Sequence, residues 1–210
     1  MQPRFSLFAL VVLAACGDDG GGTPVDSGTH DAAADTAPDA DPSIAPLVGT
    51  WLKGADSWSG QMIPMVTFRA NGTVSLGEEA AASEGTYTVP TPGRLKMVFG
   101  TDAQELDFVI GNDHLLLSAM VPQGTVTGLV GTWKTTFTTN GTMGSSTMMI
   151  AANNTGAYTL SGPTGSQVWN GTWATEGTGL VFTATTPTAL TSHLRPIGMA
   201  GIGTQLFTKQ

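Results

Sequence analysis

From Met65 to Leu76 the chain alternates, with Val66, Phe68, Val74 and Leu76 apolar and Thr67, Arg69, Thr73 and Ser75 polar, on either side of Asn71-Gly72. A period of two puts every second side chain on one face, so this stretch predicts a β-hairpin with one dry and one wet face. Asn-Gly at its centre predicts a two-residue type I′ turn. A second hairpin is predicted from Leu106, Phe108 and Ile110 through Gly111-Asn112-Asp113 into Leu115 and Leu117. Between the two, Pro90 to Gly93 breaks the chain before Leu95, Met97 and Phe99 resume the alternation. Short strands are expected near 48–53, 64–70, 73–78, 85–89, 94–100, 105–111 and 114–120. No window carries apolar residues at helical spacing, which predicts an all-β meander.

The pattern then repeats. Leu47-Val48-Gly49-Thr50-Trp51 returns as Leu129-Val130-Gly131-Thr132-Trp133, an offset of 82 residues. Val66, Phe68, Ala70 and Asn71 meet Met148, Ile150, Ala152 and Asn153 at that offset, and Glu84-Gly85-Thr86-Tyr87 answers to Asn170-Gly171-Thr172-Trp173. Beyond the Asn turn two residues are read as gained, matching Val74 and Leu76 to Tyr158 and Leu160. Matched alternation at three places predicts internal duplication of an 82-residue module, spanning 47–128 and 129–210. Pro187 to Gly203, with Pro196 and several glycines, is expected to be irregular before Gln205 to Lys209 closes the second module. Either each module closes its own small barrel or the two share a larger one. The Pro- and Gly-bearing junction Val121 to Gly128 favours separate closure.

Charge is distributed unevenly along the 210 residues. Residues 17–46 carry Asp18, Asp19, Asp26, Asp31, Asp35, Asp39 and Asp41 with no Lys or Arg, among Gly, Ala, Pro, Thr and Ser. Such a composition cannot build a core and predicts a disordered acidic tether. Of the net charge of −8, the tether holds −7, Arg4 contributes +1, and the folded part has nine acidic against seven basic side chains. Without a basic stripe to neutralise phosphates, nucleic acid is excluded as a partner.

Ahead of the tether, Arg4 precedes the apolar run Phe5 to Leu13, and Leu13-Ala14-Ala15-Cys16 follows. The run is too short to span a bilayer and is read as a secretion signal. Residues 1–16 resemble a bacterial lipoprotein signal peptide, which implies cleavage before Cys16 and acyl chains on that residue. Cys16 is the only cysteine, so the chain can form neither an internal disulfide nor a thiolate metal cluster. Two or more acyl chains anchor a protein firmly. The expected address is the bacterial cell envelope, lipid-anchored to a membrane through Cys16, the outer in preference to the inner, with the folded part outside the cytoplasm.

The Gly-x-Trp opening, the Asn-Gly hairpin on alternating apolar residues, and Gly-Thr-Tyr followed by further hairpins are similar to short bacterial lipocalin-like domains. The likeness covers 47–120 and more loosely 129–210. It implies an antiparallel up-and-down β-barrel in which Trp51 and Trp133 plug one end, and binding of a small apolar ligand. The last strand of the first module lacks the basic residue that covers the tryptophan in that family.

Catalysis needs convergent side chains around a positioned base. His114 beside the Asn112-Asp113 turn and His193 in an irregular segment are expected to be loop or edge residues, Glu78 and Glu79 would point to opposite faces of a strand, and no Gly-x-Ser-x-Gly elbow occurs. The expectation is a non-catalytic protein with no metal and no cofactor. Asn71, Asn140, Asn153 and Asn170, in Asn-x-Thr triplets, are read as turn residues. Eight methionines after the signal, Met62, Met65, Met97, Met120, Met143, Met148, Met149 and Met199, are read first as core filler and second as a lining for an apolar guest. Three functions follow in order: a membrane-tethered barrel that takes a small apolar ligand, a structural or protein-interaction module with a filled core, and an enzyme. The protein partner is left open.

Overall fold

In the computed structural model, residues 43–54, 63–78 and 81–210 are described. The signal, Cys16 and the tether as far as residue 42 lie outside them, as do Met62 and Glu79. The chain is all-β. The first half gives β1 (Gly49–Lys53), β2 (Met65–Phe68), β3 (Thr73–Leu76), β4 (Ser83–Thr91), β5 (Arg94–Phe99), β6 (Asp102–Gly111), β7 (His114–Leu117) and the short β8 (Val121–Pro122). The second gives β9 (Gly131–Thr139), β10 (Thr142–Ile150), β11 (Thr155–Gly162), β12 (Gly165–Glu176), β13 (Gly179–Ala184), β14 (Leu190–Ile197), β15 (Gly201–Gly203) and β16 (Gln205–Lys209).

Strands β1 to β7 follow one another as antiparallel neighbours, and β16 enters between β7 and β1 to close an eight-stranded barrel. Inward positions hold Trp51, Val66, Phe68, Val74, Leu76, Tyr87, Leu95, Leu115 and Phe207, all buried. Phe68 and Tyr87 meet edge to face at 4.9 Å between ring centroids. The closing strand differs from the sequence expectation: Gln205–Lys209 completes the first barrel and not the second module. Phe207 points into the first core and Leu206 covers its outside, so this strand satisfies two apolar surfaces there at once.

The second half closes as well. Strands β9 to β15 pair in order, β15 bridges to Met120 through Ile202, and β8 returns to β9 by the pairs Val121↔Lys134 and Pro122↔Trp133. Met120 and Ile202 exchange both backbone hydrogen bonds, at 2.8 and 2.9 Å. This second ring encloses Met120, Trp133, Met148, Ile150, Trp169, Leu180, Phe182, Leu194 and Ile202. Each half thus takes its closing segment from the end of the other, a packing intermediate between two self-contained barrels and one shared barrel.

Besides these exchanged segments, further contacts join the halves. Strand β6 gives one edge to β7 over Phe108–Gly111 and to β9 over Gln104–Leu106. Where the two partners diverge, the Asp107 carboxylate accepts hydrogen bonds from the backbone N–H of Thr136 (2.7 Å) and from Arg94 (3.0 Å). On the outside of the first barrel, Leu116, Ala119 and Leu206 pack against Ile197 of β14, with Val109 beside them.

Several expectations are revised locally. The seven strands of the first half fall where the alternation put them, although β4 runs through Pro90 with a register shift between Thr88 and Thr91. At Asn71-Gly72 only Gly72 has positive φ (80°), and Arg69 N donates to Thr73 O, so three residues form the loop, with Gly72 as the left-handed residue that follows a type I-like turn. The two-residue type I′ geometry occurs instead at Asn112-Asp113, both with positive φ, between the paired Gly111 and His114. Val66↔Leu76 and Met148↔Tyr158 occupy equivalent registers, so no residues are gained at the second Asn turn. The segment expected to be irregular contains β14, a regular eight-residue strand paired to β13. Ile44, inside the segment read as tether, is buried together with Leu47 in the turn that precedes β1.

Candidate functional site

Trp51 is 1% exposed and its indole Nε1 donates to Leu47 O at 2.7 Å. Trp133 is fully buried and donates to Leu129 O at 2.9 Å, the same bond four residues back. Over the Trp51 ring stands Lys209, its Nζ 5.3 Å from the centroid. The β1 and β16 register pairs the two residues directly, and Gly49 makes room: a Cβ there would lie 3.0 Å from Lys209 Cε. A basic residue therefore does cover the first tryptophan, and it arrives from the C-terminal strand. At the second tryptophan the space over Gly131 is taken by Val126, an apolar side chain. The sequence signal for Lys209 was only its place on an apolar-alternating strand; its partner lies at the far end of the folded part.

Neither histidine sits in a loop. His114 opens β7, where Nδ1 lies 3.2 Å from Thr208 Oγ1, and His193 is in the middle of β14. His193 Nδ1 is 2.9 Å from Glu176 Oε2, and the same oxygen accepts from Arg195 Nη2 at 2.6 Å. All three side chains face outward from the second ring. Gly179 leaves room for the neighbouring strand, since a Cβ there would collide with Leu194 O and would also fall 2.8 Å from Arg195 Nη1. The hydrogen bond from His193 first, and then that from Arg195, hold the Glu176 carboxyl below its ordinary value. Chemically this is a carboxylate clamped by two donors, which ties the end of β12 to β14.

Interior hydroxyls are few. Ser146 and Thr135 are buried within the second ring, Tyr158 OH donates to Ser146 Oγ at 3.0 Å, and burial pushes the Tyr158 phenol up. Thr135 Oγ1 donates to Asp107 Oδ2 at 3.1 Å. Among the described residues, no group of three or more His, Cys, Asp or Glu side chains is placed to hold a metal ion.

The asparagines divide. Asn71 and Asn153 each accept from the N–H and the hydroxyl of the threonine two residues on, and Asn140 bonds across to Ala103 and Asp102, all as turn residues. Asn170 instead lies within β12, exposed. Of the methionines, Met97, Met120 and Met148 are buried, whereas Met143, Met149 and Met199 stand in solvent and line no interior.

Compared with protein-family models, with curated proteins and with solved structures, the chain finds no match.

Proposed function

We propose that this chain is a lipid-anchored protein of the bacterial envelope, held to the membrane through Cys16 and standing off it on the acidic segment, whose folded part is a non-catalytic β-barrel module with a filled interior. The observation that carries the filled-core reading is the occupancy of the barrel: Trp51, Phe68, Tyr87, Leu95, Leu115 and Phe207 are all buried at inward positions. An eight-stranded barrel is only wide enough for its own side chains or for one small ligand. Here the side chains take the space.

A second reading, carriage of a small apolar molecule by a lipocalin-like barrel, is favoured by one arrangement. It is supported by Gly49, Trp51 and the Lys209 ammonium, which stands 5.3 Å from the indole centroid as a basic residue would over a lipocalin-like plug.

Tryptophan fluorescence of the full chain, titrated with fatty acids and neutral apolar probes at micromolar concentration, separates the two. The filled-core reading expects no saturable response; one-to-one quenching abolished by substitution at Phe68 or Phe108 would establish the carrier instead. The anchor is tested separately by Cys16→Ser, which is expected to move the protein from membrane to soluble fractions. Retention of the variant in membranes, with no acyl mass on the wild type, refutes the anchor.

A further inference from the structure

The outer face of the first barrel has a recess of about 400 Å³ lined by Thr50, Met65, Thr67, Arg69, Ser75, Ala82, Glu84 and Gln210. Its floor is one transverse row. Thr50 pairs with Thr67, Thr67 with Ser75, and Ser75 with Glu84, so three hydroxyls and a carboxylate stand opposite one another on β1, β2, β3 and β4. Gln210, whose N–H donates to Thr50 O, extends the row beyond the end of β16. At a strand spacing of about 4.8 Å, five positions span roughly 19 Å.

Two features set this row apart from an ordinary wet face. Ser75 faces away from the core, between inward Val74 and Leu76, yet is only 5% exposed, so it forms the floor of a real depression. Among the lining side chains the two charged ones, Arg69 and Glu84, are paired with each other at 2.9 Å, so the side chains add no net charge while keeping both donors and acceptors on show. Arg69 first, and then the Ser75 hydroxyl, hold the Glu84 carboxyl below its ordinary value, so it serves there as an acceptor. Met65 and Ala82 add apolar surface at the side.

We propose that this recess binds a neutral carbohydrate chain, laid across the strands with its hydroxyls on Thr50, Thr67, Ser75 and Glu84 and its C–H faces on Met65 and Ala82. The floor groups are partly paired among themselves, Thr50 with Thr67 at 3.2 Å and Ser75 with Glu84, but each hydroxyl keeps hydrogen-bonding capacity that a small apolar molecule would bury unmet. An extended peptide is captured by the open edge of a sheet, and β1 to β4 are paired on both sides. A charged ligand would have to break the Arg69–Glu84 pair. The site lies outside the barrel and does not depend on whether the interior is filled or the chain is lipidated.

The test is a titration of the isotopically labelled full chain with cellotriose and with chitotriose, followed by amide chemical shifts. Shifts confined to residues 50, 67, 75 and 84 and their strand neighbours, saturating at millimolar sugar, are expected. Thr67→Val, which keeps the shape and removes one hydroxyl, should weaken binding by roughly 3- to 10-fold, and Ser75→Ala should do likewise if the first variant is poorly folded. Absence of shifts at about 10 mM of either sugar, shifts centred elsewhere on the molecule, unchanged affinity in a folded variant, or displacement of the same amides by laurate would each overturn the proposal.

Discussion

Gly49 makes clear what a three-residue motif encodes. Its φ of 132° is one that side-chain-bearing residues rarely adopt, and the stem of Lys209 fills the place where its own side chain would be. Gly49→Ala is therefore expected to lower stability by about 1 to 2 kcal/mol, the scale of a strained backbone combined with a displaced neighbour. Gly162→Ala, where a Cβ meets nothing within 4 Å, is the control, and denaturant midpoints compare the two. Similar midpoints for both variants would show that Gly49 is not needed for Lys209. At Glu176 the chemistry is acid–base. Its carboxyl is lowered in the folded state, so its contribution is present above the ordinary carboxylate value near 4.5 and is lost as pH falls through the folded value. Glu176→Gln should flatten the dependence of melting temperature on pH below about 4.5. An unchanged acid limb would place the acid sensitivity elsewhere. Gly-x-Trp could be read from the sequence because its parts are adjacent, whereas Lys209 and the Glu176–His193–Arg195 clamp depend on pairings between distant strands.

At the scale of elements, the alternation located the strands of the first half because a sheet with one dry face must repeat every two residues. Turn type was less legible. Asn71-Gly72 and Asn112-Asp113 both suit left-handed backbone, but whether a loop takes two or three residues depends on which flanking pair closes, Arg69 with Thr73 in one case and Gly111 with His114 in the other. Gly72 keeps its role under either geometry. Gly72→Val should cost about 1 to 2 kcal/mol, since a β-branched residue is a poor fit at φ 80°, whereas Gly72→Asn should cost less. The second half already has Asn154 at the equivalent position with φ 62°. Equal losses for Val and Asn would contradict a left-handed requirement there. Strand β14 was hidden by the opposite error. Pro196 and the glycines around it suggest a loop, but Pro196 stands opposite Ile202 in the short pairing with β15, near the end of its strand, where a missing N–H is tolerated.

For the whole molecule, the repeat in the sequence and the closure in space have different boundaries. A duplication read from the sequence would divide the chain at 128/129, whereas the first barrel needs β16 and the second ring needs Met120 to Pro122. Sequence periodicity could not reveal this, because a strand carries the same alternation whichever neighbours it pairs with. The exchange should make the halves unfold together, since unfolding either half of the chain withdraws the segment that closes the other. Fragments cut at the repeat boundary test it. Residues 47–128 would leave the β1 and β7 edges open, and residues 129–210 would lose the bridge from Ile202 to Met120 and keep β16 without a barrel to enter. Neither fragment is expected to give a dispersed amide spectrum alone, because unpaired backbone groups and apolar faces such as Phe207 and Leu115 would be left without partners. Mixing the two should restore dispersion as each supplies the other's closing segment. The intact chain should show one transition, with amides of β3 and β11 exchanging at the same free energy. A well-dispersed 129–210 fragment, or two separate transitions in the intact chain, would show that the borrowed strands are accessories to barrels that close without them.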